Sequence, residues 1–519
     1  MNDDGRGLER EHRLFRALAG GESTLSSAEL LGALKRSGLE SKDPRLAGLT
    51  GALEAASSPG LSFDTFRRLA RPTLSLVERA ARGELVVPDF ESLRDQMETE
   101  VEAVRSDQRG EVATYIPQLA RVPPDRWGAS LCTVDGQRVD LGDFGDDFCV
   151  QSAMKPLNYA LALEEMGETR VHGHVGREPS GQGFSEITLN HAGRPHNPMI
   201  NAGAIMVCSL IRGDRPLADR FDHVLAYWRK ACGQEVGFDN SVFLSERETA
   251  DRNFALGYFM QEHRAFPEGT DLLETLEFYF MCCSIATTTR DMSLLAATFA
   301  SGGLHPLTGE VLFSPHTVRD VLSMMSSCGM YDFSGEFAFT VGLPAKSGVS
   351  GVVMTVVPNV LGMVTWSPRL DAYGNSTRGL ELCRRLVETY NFHVYDNLGV
   401  TDKVDPRSEP HARRVVDVSA LLWAAAAGDV PALRRLAARH GALAAADYDG
   451  RTALHLAAAE GHPLAVEFLI ERGVPLFPKD RWGGTPLDDA RRHGHADIVR
   501  RLEDASDEIV DATSSGALT

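Results

Sequence analysis

Two short stretches carry residue types that could do acyl-transfer chemistry. In Gln151-Ser152-Ala153-Met154-Lys155-Pro156 a serine stands three residues ahead of a lysine, so both side chains share one helical face about a turn apart. A neutral amine there could take the hydroxyl proton and free a nucleophile, provided that burial or nearby dipoles lower its pKa. Lysine is scarce in this chain, with seven among 53 basic residues, and only Lys155 has a serine three before it. A chain that otherwise uses arginine keeps an amine where a base able to lose its proton is needed. The second stretch, Lys346-Ser347-Gly348, offers a glycine that lets substrate approach the backbone and an N–H just beyond it, at Val349, that can face an oxyanion. Taken alone, each also fits a plain reading: an exposed lysine at a helix start, or a surface turn. His172-Gly173-His174 invites a metal, but it reads as a surface pair, and no metal-ligand spacing occurs elsewhere, so no metal is expected.

The elements that must position these residues follow from periodicity. Trp127–Val134 and Val349–Trp366 read as strands, the second broken into two by Pro358-Asn359, and Asp135-Gly136 is a hairpin signal. Between them, Pro156–Met166, Ala202–Ile211 and Leu272–Ser301 read as helices. One sheet built from the N- and C-terminal parts of residues 113–395, covered by the intervening helices, is expected. Residues 1–108 follow a helix–loop–helix layout similar to a pair of EF-hands. The first loop, Ala19–Thr24, lacks alternating Asp or Asn and a closing Glu, so packing or assembly is expected there in place of calcium sensing. Residues 399–413 read as a linker. Residues 416–505 repeat with a period of 33: Gly428, Gly461 and Gly494 are in register, as are Leu421, Leu454 and Leu487. Thr452-Ala453-Leu454-His455-Leu456-Ala457 and Thr485-Pro486-Leu487 match the ankyrin pattern, a binding surface without chemistry of its own, open to an outside protein partner or to packing within the chain or assembly. The tail, 506–519, reads as disordered.

Composition narrows the function classes. A net charge of −19 opposes nucleic acid and anionic membrane surfaces. Eight scattered cysteines form no CxxC pair, which suits a reducing compartment. The opening MNDDGRGLEREHR is neither a secretory signal nor an acid-poor transit peptide, so the cytoplasm is expected, with the mitochondrial matrix as the alternative if a presequence is missing.

The pairing of S-x-x-K with a K-S-G strand resembles the serine β-lactamases and penicillin-binding proteins. More specific blocks resemble the glutaminases, which share that fold: Tyr115-Ile116-Pro117-Gln118-Leu119-Ala120, Cys132-Thr133-Val134-Asp135-Gly136-Gln137-Arg138, Pro195-His196-Asn197-Pro198-Met199-Ile200-Asn201-Ala202-Gly203-Ala204, Ser245-Glu246-Arg247-Glu248, Asp251-Arg252-Asn253-Phe254-Ala255 and Gly329-Met330-Tyr331-Asp332-Phe333-Ser334-Gly335. The EF-hand-like front and ankyrin tail resemble the long kidney- and liver-type architecture of that family. The resemblance implies an α+β, β-lactamase-like catalytic domain with a sheet covered by helices, an N-terminal EF-hand-like helical domain and C-terminal ankyrin repeats. It implies hydrolysis of L-glutamine to L-glutamate and ammonia, with Ser152 as nucleophile, Lys155 as base, Tyr331 as proton shuttle and the backbone of Ser152 and Val349 as oxyanion hole. It places Tyr115, Gln151, Ser152, Asn201, Glu246, Asn253, Tyr279, Tyr331 and Val349 on the substrate, Glu246 holding the α-ammonium. No cofactor is implied. A homodimer or homotetramer is implied, and phosphate activation less so: in Ser180–Thr188, where animal members carry basic residues, this chain has Gly183 and Glu186, and Arg177 is the cation nearby.

Two other readings stand beside this one. A β-lactamase-like amidase of another substrate would lack a use for Glu246, Asn201 and Tyr115 around a free α-ammonium. An ankyrin scaffold with an inactive enzyme-like core would tolerate loss of Ser152, Lys155, Tyr331 or the K-S-G motif, and all are present.

Overall fold

The computed structural model describes residues 3–55, 60–183, 186–396, 403–408, 410–440 and 443–515. It divides into two compact units, one running from the N-terminus to Val394 with Asp405–Arg407, the other comprising 395–404 and 408–519.

The first unit is built on a five-stranded antiparallel sheet. Its strands are β1 (Gly128–Thr133), β2 (Arg138–Gly142), β3 (Ala345–Gly348), β4 (Val352–Val357) and β5 (Leu361–Trp366), in spatial order β2-β1-β5-β4-β3. The sheet thus joins two N-terminal strands to three C-terminal ones, with the K-S-G strand at one edge. Strands β1, β4 and β5 are buried along their whole length, because helices cover both faces. On one face lies helix Thr289–Ala300, followed by a larger helical layer that includes Lys155–Met166, Asn201–Leu210, Leu272–Cys283 and Pro315–Cys328. Gly362 of β5 permits the close approach of the first of these: a Cβ there would sit 2.2 Å from the backbone of Ala296 and Ala297. On the other face, helices Phe90–Arg105 and Thr377–Thr389 bury a second apolar cluster.

Three differences from the sequence reading have physical causes. The single helix expected over 272–301 is two, Leu272–Cys283 and Thr289–Ala300. The β-rich run Ile285–Thr287 between them forms a short strand paired with Phe148–Cys149, and Thr288 caps the second helix. Helix Phe90–Arg105 packs on the sheet, although the reading groups it with the EF-hand-like front; Phe90, Leu93, Met97, Val101 and Val104 form the stripe that binds it there. The last helix, Ala496–Ser515, runs through most of the stretch read as a disordered tail, continuing the spacing of Ile498, Leu502 and Ala505. Of the expected linker, residues 399–402 and 409 lie outside the described residues, and the helix Pro410–Ala426 takes its end.

The N-terminal helices have their own cluster around Leu14, Phe15, Leu30, Leu34 and Phe66, and Leu25–Ser26 pairs with Gly60–Leu61 between the two helix–loop–helix halves. This module grips the β1–β2 turn. Arg45 donates to the Asp135 carbonyl at 2.8 Å, Arg79 pairs with the Asp135 carboxylate at 2.9 Å, and the fully buried Gln137 donates to the Ser37 and Val87 carbonyls. In the second unit the glycine register has a structural reason. Gly428 and Gly461 have positive φ, and a Cβ on either would strike the ring of His462 or His495. Each ring pairs back onto the preceding repeat, His462 with the Ala426 carbonyl and His495 with that of Ala459.

Candidate active site

Ser152 lies on a 3-10 turn, Gln151–Met154, that runs directly into the helix opening at Lys155. In a 3-10 turn residues i and i+3 eclipse, so the serine and lysine side chains align more closely than in a regular α-turn. Pro156 fits the first helical turn, where its missing N–H is not needed. Gln151 adopts φ +49°, a conformation that costs a non-glycine residue roughly 1–3 kcal/mol and that tends to persist where a site is held by its surroundings.

Lys155 is fully buried, and burial brings its amine down to about 8. Its Nζ donates to Asn201 Oδ1 at 2.8 Å and to the Met199 carbonyl at 3.2 Å. Those acceptors are presented by a rigid turn: the buried Asn197 accepts from the Met199 and Ile200 N–H groups and donates to the Glu178 carbonyl. Asn201 in turn donates to Asn253 Oδ1 at 3.1 Å, tying in the helix Asp251–Glu262.

A second group gathers on Glu246. Its helix, Asn240–Glu248, is capped by Asp239, which accepts from the N–H groups of Ser241 and Val242. The Glu246 carboxylate accepts from Tyr115 at 2.5 Å and from Gln151 Nε2 at 2.9 Å. Burial raises its pKa, and these two bonds oppose the rise. Tyr115 is exposed as a residue, while burial of its phenol and the facing Glu246 carboxylate push its pKa well up. Tyr279 is buried; burial raises its phenol, with Cys283 and Glu246 adding to the effect.

The K-S-G strand completes the site. A Cβ on Gly348 would lie 2.9 Å from the Val150 carbonyl and 3.5 Å from the Ala153 nitrogen, so β3 runs against the backbone that carries Ser152. Val349 follows, packed against the small cluster of Ile116, Leu119, Cys149 and Val242. Burial pushes the Tyr331 phenol above its usual range, and the nearby Ser152 side chain opposes the rise. All ten residues singled out from the sequence thus lie in the first unit, and the Tyr115–Glu246 hydrogen bond spans 131 residues of chain.

Some participants were not singled out for a role. The Met199 carbonyl receives Lys155, and buried Cys283 lies near Lys155, Glu246 and Tyr279, its thiol pushed up by burial. The Pro198-Met199-Ile200-Asn201 block was visible, but a backbone acceptor leaves no mark of its own in a sequence. His172 and His174 are half-buried, not a surface pair. His172 pairs with the Tyr159 hydroxyl and the Val175 carbonyl, His174 with the Ala265 carbonyl. Arg177 donates to Glu168 at 2.5 Å, and a Cβ on Gly183 would lie 4.0 Å from an Asp332 oxygen. Phe184 and Ser185 of the Ser180–Thr188 segment lie outside the described residues.

A glutaminase family model matches residues 110–395. The chain belongs to the glutaminase family. Ankyrin repeats match 378–480 and 421–512, and an EF-hand domain matches 10–88. The chain is 47% identical to the mitochondrial liver isoform of glutaminase from Mus musculus over 502 residues, 95% of this chain and 83% of that one. It is 45% identical to putative glutaminase 2 of Caenorhabditis elegans, covering 92% of this chain and 82% of that one. Among solved structures it resembles a probable glutaminase from Bacillus subtilis complexed with 6-diazo-5-oxo-L-norleucine, with a TM-score of 0.53 and 31% identity over 58% of this chain and 96% of that one. The enzyme is an amidohydrolase that converts L-glutamine to L-glutamate and ammonia.

Proposed function

We propose that glutamine hydrolysis here runs through an acyl-enzyme on Ser152, with Lys155 as general base. The observation that carries this is the buried Lys155 amine, brought down to about 8, held by Asn201 and the Met199 carbonyl, one turn from Ser152 and with the Tyr331 phenol close to that serine. Ser152 Oγ attacks the side-chain carboxamide carbon as its proton passes to the Lys155 amine. The N–H groups of Ser152 and Val349 hold the tetrahedral oxyanion, each worth about 3 kcal/mol in the transition state. The proton on Lys155 returns through Tyr331 to the departing nitrogen, ammonia leaves, and a glutamyl ester remains. Water, deprotonated by the same amine, then releases glutamate. Glu246 receives the α-ammonium, with Tyr115 and Gln151 fixing its carboxylate. Asn201, Asn253 and Tyr279 receive the α-carboxylate and amide. A peptide or lactam without a free α-ammonium would leave Glu246 buried and unpaired, which disfavours such substrates.

Ammonia release from glutamine and from asparagine, by wild type and Ser152→Ala, tests the assignment. Glutamine should be preferred, and Ser152→Ala should lose about 10⁴-fold or more of the rate. A variant retaining a rate near wild type would remove Ser152 as nucleophile.

A homodimer or homotetramer is the assembly proposed, with the ankyrin unit offering a surface to a protein partner. No cofactor is proposed. Phosphate is the weaker part of this reading, since Glu186 and Asp332 both lie beside Gly183 and Arg177 is paired with Glu168. Solution mass with and without phosphate checks both points. Eight free, buried cysteines suit a reducing compartment, either cytoplasm or mitochondrial matrix.

A further inference from the structure

Lys346 is the second fully buried lysine of the site, and the reaction outlined above gives it no task. It stands on the edge strand β3, paired across to Met354 of β4. Its Nζ donates to the Ser347 carbonyl at 2.5 Å and to the Gly329 carbonyl at 3.0 Å. The Gly329 carbonyl also accepts from the Ser347 N–H at 3.1 Å. The same amine lies 4.6 Å from the centre of the Tyr331 ring. A Cβ on Gly329 would fall 1.7 Å from the Ala345 carbonyl, so the turn presses directly onto the strand.

The turn needs such support. Tyr331 has φ +54°, a left-handed conformation that a bulky residue does not keep unaided. Ser334 Oγ donates to the Tyr331 carbonyl at 2.7 Å and accepts from the Met330 N–H at 2.9 Å. Asn375 Nδ2 donates to the Met330 carbonyl at 3.3 Å. Gly374 also lies against the ring, where an added Cβ would be 3.7 Å from it. These contacts fix the backbone of the 329–331 turn or the Tyr331 ring, and among those named Lys346 touches both the turn, at the Gly329 carbonyl, and the ring.

We propose that Lys346 is a positioning residue that holds the Tyr331 phenol against Ser152, by tying the 329–331 turn to β3 and packing its amine on the tyrosine ring. A lysine suits this place because a compact amine can serve two carbonyls and a ring face at once, where a planar guanidinium would not fit. Substrate is bound by other groups, so loss of Lys346 should slow turnover and leave glutamine binding nearly unchanged.

The inference rests on Tyr331 serving Ser152, and a double-mutant cycle separates the two claims. Lys346→Met should lower kcat for glutamine by about 10- to 100-fold, with KM within about threefold of wild type. In Lys346→Met/Tyr331→Phe the rate should fall no further than in Tyr331→Phe alone, because both changes remove one function. Lys346→Met combined with Asn253→Ala should show multiplied losses. Lys346→Gln, which keeps an N–H donor, should recover part of the rate. Should Lys346→Met fail to fold, Asn375→Ala probes the same turn and should be equally non-additive with Tyr331→Phe. Multiplied losses with Tyr331→Phe, or a loss carried by KM, would overturn the proposal. Full activity in Tyr331→Phe would instead overturn the proton-shuttle role on which it rests.

Discussion

Burial makes Lys155 a base, and the same burial opposes folding. With its amine down at about 8, the neutral form needed to accept the Ser152 proton grows as pH rises through that value. The rate should therefore fall about tenfold for each pH unit below 8 and level off above it, and a kcat/KM profile from pH 6 to 10 checks this. The stability effect has a definite sign. In the unfolded chain the amine keeps its ordinary value of 10.5, so between about 8 and 10.5 the unfolded state holds one proton more than the folded state. Stability rises with pH across that window, and below it the protonated buried amine costs about 3 kcal/mol. In Lys155→Met the climb in stability between pH 8 and 10.5 should be shallower and the activity lost. Urea unfolding at the two pH values reads the first effect, and ammonia release the second. Lys346, also lowered by burial, adds its own rise in the same window, so the climb should shrink without vanishing.

At the level of elements, the site is a meeting of short backbone segments, and glycines set their spacing. Helix Asn201–Leu210 brings Asn201 to Lys155 only because Gly203 lets the Asn197 carbonyl approach; a Cβ there would lie 1.7 Å from that oxygen. Gly203→Ala should push the helix off its turn, destabilising the fold by about 2–4 kcal/mol and lowering the rate, as thermal melting and turnover together would show. Such a contact explains what could be read beforehand. Ser152, Lys155 and the K-S-G strand were legible because their spacing is local and their chemistry limited. The 33-residue register was legible because it recurs at several positions, and at Gly428 and Gly461 the same His ring contact stands behind it. The carboxylate group was not: Tyr115, Gln151 and Glu246 meet across 95 and 131 residues, and no periodicity encodes that meeting. The family blocks pointed to these residues, while the strained φ of Gln151 and Tyr331 came only with coordinates. The split of 272–301 escaped because Ile285–Thr287 sits inside a long apolar pattern that suits helix and strand alike.

On the scale of the molecule, the two units hold unequal claims on catalysis. Every residue assigned to the chemistry lies in the first unit, and so do both apolar clusters that clamp the sheet. The second unit has a core of its own, in which Leu421, Leu454, Ala457, Leu469 and Ile498 are buried together. The N-terminal module is different. It holds the β1–β2 turn through Arg45, Arg79 and the Ser37 carbonyl, and stripping it away would leave the buried Gln137 amide without its partner Ser37. An orphaned buried amide costs about 1–3 kcal/mol before the lost apolar contacts are counted. Removing one end of the chain should therefore differ sharply from removing the other. A chain ending at Arg407 should fold with its melting transition preserved and turn over glutamine within about twofold of the full-length rate, because independent cores fold independently. A chain beginning at Val87 should melt lower and lose activity in proportion to its loss of folded protein. Parallel calorimetry and ammonia release on the two truncations decide between this arrangement and one in which the repeats complete the catalytic fold: in the latter case the chain ending at Arg407 would be the one to fail.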